Sequence, residues 1–193
     1  CALGRLLTTT GGEPVLLSWG GSMFEYLMPL LVMPTYENSL LDRTYKTVVN
    51  RQIKYGAQRE VPWGISESGY NRIDAQYNYQ YSAFGAPELG FKPGLAEDLV
   101  IAPYASVMAL MVYPEKACAN LQRMAEDGYV GQFGFYEAID FTPSRLPQGD
   151  SKTIVQSFMS HHEGMSFLSI AYLLLNRQMQ MRFENNLTLK TAD

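Results

Sequence analysis

Cysteine and histidine are scarce in this chain of 193 residues, with two of each: Cys1, Cys118, His161 and His162. Two distant cysteines make no spaced disulfide framework, which points to a reducing compartment and leaves the fold to be held by apolar burial. The histidines are adjacent, in SHHEGMS (160–166). Neighbouring side chains on a helix diverge by about 100°, whereas zinc-binding helices space their histidines four apart, so neither a metal nor a cofactor is expected. Basic clusters are missing too: 15 Lys and Arg are dispersed among 19 acidic residues, for a net charge of −4. Phosphate backbones call for concentrated positive charge, so no nucleic-acid partner is expected. No apolar run reaches the roughly 18 residues of a membrane span, and no basic start leads into an apolar stretch. The segment itself is therefore expected to be soluble. The GG pairs at 11–12 and 20–21 lack the spacing of a nucleotide fingerprint. Fixed-period repeats, sustained heptads and βαβ alternation are likewise absent.

What the chain does have is apolar and aromatic material: 47% hydrophobic residues and 13 tyrosines. That is enough for a substantial core. Tyrosine joins a flat apolar face to a hydroxyl, which suits sugar rings as well as protein interiors. SMFEYLMPLLVM (22–33) reads as a buried helix that Pro29 interrupts. Leu41, Tyr45, Val48, Val49 and Ile53 recur at helical steps, with Gly56 as a stop. APYASVMALMV (102–112) reads as a short apolar helix, and 114–128 as a helix from Pro114 to Gly128 with Ala117, Leu121 and Met124 on one face. Cys118 is expected to pack on that helix. Residues 151–160 read as helical, Ser160 as a cap with Glu163 at the third position after it, and FLSIAYLLLN (167–176) as an apolar helix. Between these lie two long stretches rich in glycine and aromatics, 62–94 and 128–150, of a length that is uncommon unless the loop binds something. The expected class is all-α, with short strands in long loops. The chain begins without Met and ends on the polar NNLTLKTAD, so both ends are expected to lie inside a longer protein. The sequon at Asn186 reads as a chance match.

Three glutamates sit in apolar or aromatic settings: Glu25 in MFEYLMP, Glu67 in PWGISESGYN and Glu137 in GFYEAID. A carboxyl short of water has a raised pKa and donates a proton near neutral pH. A glycosidase needs two such groups across a sugar ring. The competing account is structural: a buried glutamate satisfies backbone N–H groups at a helix start or pairs with an arginine such as Arg43, Arg72 or Arg145. Asp74 and Asp140 carry the same two readings. Trp63, Tyr70, Tyr79, Tyr81 and Tyr136 are candidate sugar contacts, and His161 and His162 reach a substrate from the start of their helix.

Taken together, LLSWGGSMFEYLMPLLVM, PWGISESGYN, YQYSAFGAPELGFKPGLAEDLVIAPYAS, GQFGFYEAIDFTPSRLP and HHEGMSFLSIAYLLLN resemble, in this order and over nearly the whole chain, the glycoamylase-like region of cyclic β-1,2-glucan synthases. Gly20, Ser22, Glu88 and Glu163 depart from the usual pattern and remove no catalytic candidate. The resemblance implies an (α/α)6 toroid. A chain of this length would be about its C-terminal half and would expose apolar faces that favour self-association. It also implies a larger inner-membrane protein with glucosyltransferase and phosphorylase-like regions, this segment lying on the cytoplasmic side. The implied reaction cleaves linear β-1,2-glucan and cyclises it by retaining intramolecular transglycosylation, with Glu67 as acid/base and Glu137 as nucleophile, Glu25 being the rival. A β-1,2-glucan hydrolase, a non-catalytic glucan-binding module and a purely structural helical scaffold are the alternatives.

Overall fold

The computed structural model describes residues 6–186. It corrects the all-α expectation: among the described residues, nine short strands in four small sheets accompany six α-helices. The physical reason lies in the aromatic and glycine-rich stretches, whose backbone groups have no helix to join and pair with each other instead.

Strands β1 (Leu7–Thr10) and β2 (Glu13–Leu16) form the first hairpin, turning on Gly11 and Gly12. Both glycines hold positive φ, 61° and 87°, as a tight two-residue hairpin turn requires. Helix α1 (Met23–Leu27) opens with a capping box between Ser22 and Glu25 and passes into a 3-10 turn (Met28–Leu31) at Pro29, where the expected interruption falls. Helix α2 (Leu40–Gln58) runs past Gly56, the expected stop. At Gly56 the bare backbone admits the returning chain: a Cβ there would lie 2.9 Å from the Cβ of Trp63.

The stretch 62–94 contains the hairpin of β3 (Ser68–Ile73) and β4 (Tyr79–Ser82). Strand β5 (Val100–Ile101) leads into α3 (Pro103–Met108), a 3-10 turn (Ala109–Met111) and α4 (Pro114–Glu126), which ends before Gly128 at φ 83°. The small hairpin of β6 (Val130–Gly131) and β7 (Gly134–Phe135) follows, then β8 (Ala138–Asp140). Residues 151–160, expected to be helical, supply β9 (Thr153–Val155), paired to β8 in the sheet β5-β8-β9. Three β-branched residues in a row, Thr-Ile-Val, fit a pleated surface better than a helix. Helix α5 (Ser160–Leu174) starts after Met159 without a side-chain cap, so Ser160 does not serve as one, and α6 (Gln178–Glu184) closes the described chain. Cys118 is exposed on α4 rather than packed. Cys1, most of the terminal NNLTLKTAD and part of its sequon lie outside the described residues.

Helix α3 packs against both α4 and α5. The core runs from Met23, Leu27 and Leu30 through Val48, Ile65, Ile101 and Met108 to Ile139. Among the described residues no helix is long and apolar enough to cross a membrane.

A second close approach joins distant loops. The chain at 18–21 lies against 85–92, with Ala86 N–H donating to Gly21 O (3.0 Å), Phe91 N–H to Ser18 O (3.2 Å) and Lys92 N–H to Trp19 O (2.9 Å). A Cβ on Gly85 would stand 1.7 Å from Gly20 O, and one on Gly90 2.6 Å from Gly21 N. Because the obstruction is backbone on both sides, Gly85→Ala is expected to cost about 3 kcal/mol or more in urea unfolding. Gly164→Ala on α5, where nothing lies within 4 Å of the new methyl, is expected to be neutral or to gain up to about 1 kcal/mol. Equal stabilities for the two variants would remove the steric account of this contact.

Candidate active site around Glu67

Residues 62–66 are buried yet belong to no strand, so their backbone must find its partners outside regular pairing, most of them in side chains. Gln52 of α2 clamps Ile65 from both directions, accepting its N–H (2.8 Å) and donating to its carbonyl (2.9 Å). Asn120 of α4 accepts the Trp63 N–H (3.2 Å), and its amide, with the Ser106 hydroxyl of α3, donates to Trp63 O at 2.8 Å. Ala102 N–H donates to Gly64 O (2.8 Å), where Gly64 holds φ 126°. Ser66 Oγ accepts the Phe24 N–H (3.0 Å), and the Tyr104 hydroxyl sits 2.8 Å from both Ser66 Oγ and Glu67 O. Helices α1 to α4 thus all hold the strut that ends in Glu67.

Glu67 is half-buried, and burial first, then the charge of Glu25, raises its pKa above the ordinary value; the Tyr81 hydroxyl and His162 oppose the shift. Tyr81 Oη lies 3.5 Å from Glu67 Oε2 and 3.2 Å from His162 Nε2. His162 Nδ1 is 2.9 Å from Glu137 Oε2, and Glu137 Oε1 accepts the Gly69 N–H at 3.0 Å. The Glu137 side chain is 2% exposed. The Tyr81 hydroxyl thus stands between the two groups, donating towards Glu67 Oε2 and facing the His162 ring, whose other nitrogen meets Glu137. Burial and the charges of Glu67 and Glu137 push the Tyr81 hydroxyl well up, so the tyrosine passes hydrogen bonds without ionising. Tyr104 stacks flat on His162, ring centres 3.7 Å apart, and keeps the imidazole edge-on to its two partners.

The other expected residues divide. Glu25 belongs to the neighbourhood of Glu67, but its carboxylate is occupied: it accepts from Gly20 N–H (2.9 Å), Ser22 N–H (3.1 Å) and Ser18 Oγ (3.0 Å). His161 is exposed beside His162, with its pKa lowered by burial and by His162 against the pull of Glu137. Tyr136 lies with Glu137, His162 and Glu163 on a cavity of about 250 Å³ between α3 and α5. Burial and Glu137 raise the Glu163 pKa, and His162 opposes them. Asp140 is fully buried and occupied by Arg145, by Asn71 N–H (3.0 Å) and by Thr142 N–H (2.9 Å), the arginine pairing anticipated as its structural reading. Tyr70 sets its edge on Phe84 under the Arg145 guanidinium, and Tyr79 packs on the core. Trp63, 7% exposed, is itself core. Asp74 closes the β3–β4 turn, where the N–H of Asn78 and then of Gln76 lower its pKa. Tyr104 went unremarked in the sequence because its run APYAS reads only as a helix start. Trp19, 68% exposed in SWGGS, was likewise not singled out; the glycine pair that follows it is the signal that could have found it.

Residues 3–186 match the family described as "Putative glucoamylase", and the chain belongs to that family. It is similar to the cyclic beta-(1,2)-glucan synthase NdvB of Rhizobium meliloti, 44% identical over 191 residues. That match covers 99% of this chain and 7% of the length of the synthase. Among solved structures it resembles an endo-beta-1,2-glucanase from Chitinophaga pinensis in complex with sophorotriose and glucose, with a TM-score of 0.65 and 15% identity over 98% of this chain and 45% of that one. A mutant endo-beta-1,2-glucanase from Talaromyces funiculosus with beta-1,2-glucan gives a TM-score of 0.69 and 16% identity over 97% of this chain and 36% of that one. At these identities the likeness is one of fold.

Two stability measurements test the electrostatics. The folded-state pKa of Glu67 lies above its ordinary 4.5, so the native chain binds the proton more tightly and loses stability as pH rises from 4.5. Glu67→Gln is expected to be more stable than the parent at pH 7, with the gap closing below pH 4.5; a gap that grows towards acid would contradict this. Asp140→Ala removes one of the two carboxylates that pair with Arg145, Asp98 being the other, and the acceptor of two backbone N–H groups, and is expected to cost about 3 kcal/mol in urea unfolding.

Proposed function

We propose that this member of the glucoamylase family is the catalytic region of a β-1,2-glucan-processing enzyme, with Glu67 as its proton donor. The observation that carries the reading is Glu67: a half-buried carboxyl of raised proton affinity, linked through Tyr81 and His162 to the buried carboxylate of Glu137. A general acid needs its proton at neutral pH, and removal from water supplies that. The choice of glucan is supported by the identity to a cyclic β-1,2-glucan synthase and by a fold shared with β-1,2-glucanases.

In the finer reading the reaction is a retaining intramolecular transglycosylation. Glu67 gives its proton to the glycosidic oxygen as the C1–O bond breaks, and Glu137 forms an ester with C1. The Glu67 carboxylate then takes the proton of a hydroxyl at the chain's own non-reducing end, whose oxygen displaces Glu137 and closes the ring. Such a region acts beside the glucosyltransferase and phosphorylase-like parts of a larger synthase, on the cytoplasmic side of the inner membrane. The near-complete burial of Glu137 favours a second reading, in which it stays bound to His162 as an orienting group and water attacks C1, giving a hydrolase.

The test is product analysis on linear β-1,2-glucan. Glu67→Gln is expected to lower kcat by about 10²–10⁴-fold with KM little changed, and undiminished turnover by this variant would overturn the assignment. Cyclic product, with retained configuration at the new bond and loss of activity in Glu137→Gln, supports transfer. Linear product of inverted configuration supports water attack.

A further inference from the structure

The two tryptophans of the chain are treated oppositely. Trp63 is core, while Trp19 is 68% exposed and faces an open cleft of about 520 Å³ together with Phe91, itself 46% exposed, and Glu25. Isolated exposed aromatics are ordinary. What sets Trp19 apart is how tightly its backbone is held while its ring is left unpacked. Before it, Ser18 N–H donates to the Tyr26 hydroxyl (2.9 Å) and bridges to Gly90. Its own carbonyl takes the Lys92 N–H at 2.9 Å, and after it Gly20 N–H is held by the Glu25 carboxylate at 2.9 Å. The bare glycines at 85 and 90 allow this close fit. The loop therefore presents a large flat ring at low conformational cost, with Phe91 beside it and carboxylate and hydroxyl oxygens of Glu25 and Ser18 at the edge.

Flat apolar faces rimmed by hydrogen-bond acceptors match a pyranose, whose C–H face is apolar and whose hydroxyls point outwards. The cleft also neighbours the candidate site, since Glu25 lines it and the charge of Glu25 acts on Glu67. Phe24, next to Glu25, donates its N–H to Ser66, next to Glu67, at 3.0 Å. We infer that Trp19 and Phe91 form a stacking platform for a glucosyl unit of the bound polymer, at an outlying position of the same groove that delivers the scissile bond to Glu67. This rests on the glucan reading of the site.

The unequal burial of the tryptophans makes the platform directly observable. In the intact chain, acrylamide should quench Trp19 emission and spare that of Trp63. A linear β-1,2-gluco-oligosaccharide, with its binding followed independently by calorimetry, is expected to protect the quenchable fraction and shift its emission to the blue. Trp19→Ala is expected to weaken oligosaccharide binding about tenfold, the loss of roughly one stacking contact, while Trp19→Phe largely restores it. Calorimetric binding with Trp19 still fully quenchable, or with equal affinity in Trp19→Ala, overturns the platform and leaves the glucan reading standing. No calorimetric binding of β-1,2-glucan by the parent chain overturns both.

Discussion

Buried backbone that joins neither helix nor strand must find its hydrogen bonds elsewhere, and in the segment 62–67 Trp63 and Ile65 find theirs largely in the side chains of Gln52, Ser106 and Asn120. These are interior polar groups with no freedom to move, since leaving one partner unmatched costs about 1–3 kcal/mol. Through them α2, α3 and α4 are tied to one strut, and α1 joins by the bond from Phe24 to Ser66. The position of Glu67 is thus set by four helices at once, although the residue itself stands in a loop. The arrangement is that of a rigid scaffold presenting reactive groups from irregular segments.

The electrostatics build on that strut. Glu67 is placed where its charge is disfavoured, while Glu137, more deeply buried, is given the Gly69 N–H and the His162 ring. Two carboxyl groups in one neighbourhood are thereby treated differently, Glu67 inclined to keep its proton and Glu137 held between a backbone N–H and an imidazole. Tyr104 acts on both ends, since its ring stacks on His162 and its hydroxyl lies on the Glu67 backbone.

Helix periodicity and punctuation were legible in the residues: Pro29 ends α1, Pro114 starts α4, and Gly128 follows its end. The strands were mostly hidden, because two- to four-residue pairings such as β5 or β6 are too short to show alternation and exist only where a distant partner lies alongside. Likewise the tyrosines could be counted but not sorted. Tyr81 reaches the site and Tyr70 is sequestered beneath Arg145, and that difference depends on the hairpin register rather than on the local sequence. Glu67 and Glu137 stood out as lone acids in aromatic surroundings. The histidine between them carried no comparable signal, since adjacency to His161 says nothing about which of the two rings turns inwards.

The strut at 62–67 also has a consequence in time. Its partners lie 13 residues behind, 43 ahead and 57 ahead in the chain. As the polypeptide emerges in order, α2 is complete and Gln52 is in place long before Asn120 arrives, so the segment waits with part of its backbone unsatisfied. Contacts of such sequence separation form late because the intervening loop must first be closed. The presentation of Glu67 therefore waits on two loop closures after α2 is made, and a chain interrupted before α4 keeps the glutamate without the Asn120 contacts that hold its strut.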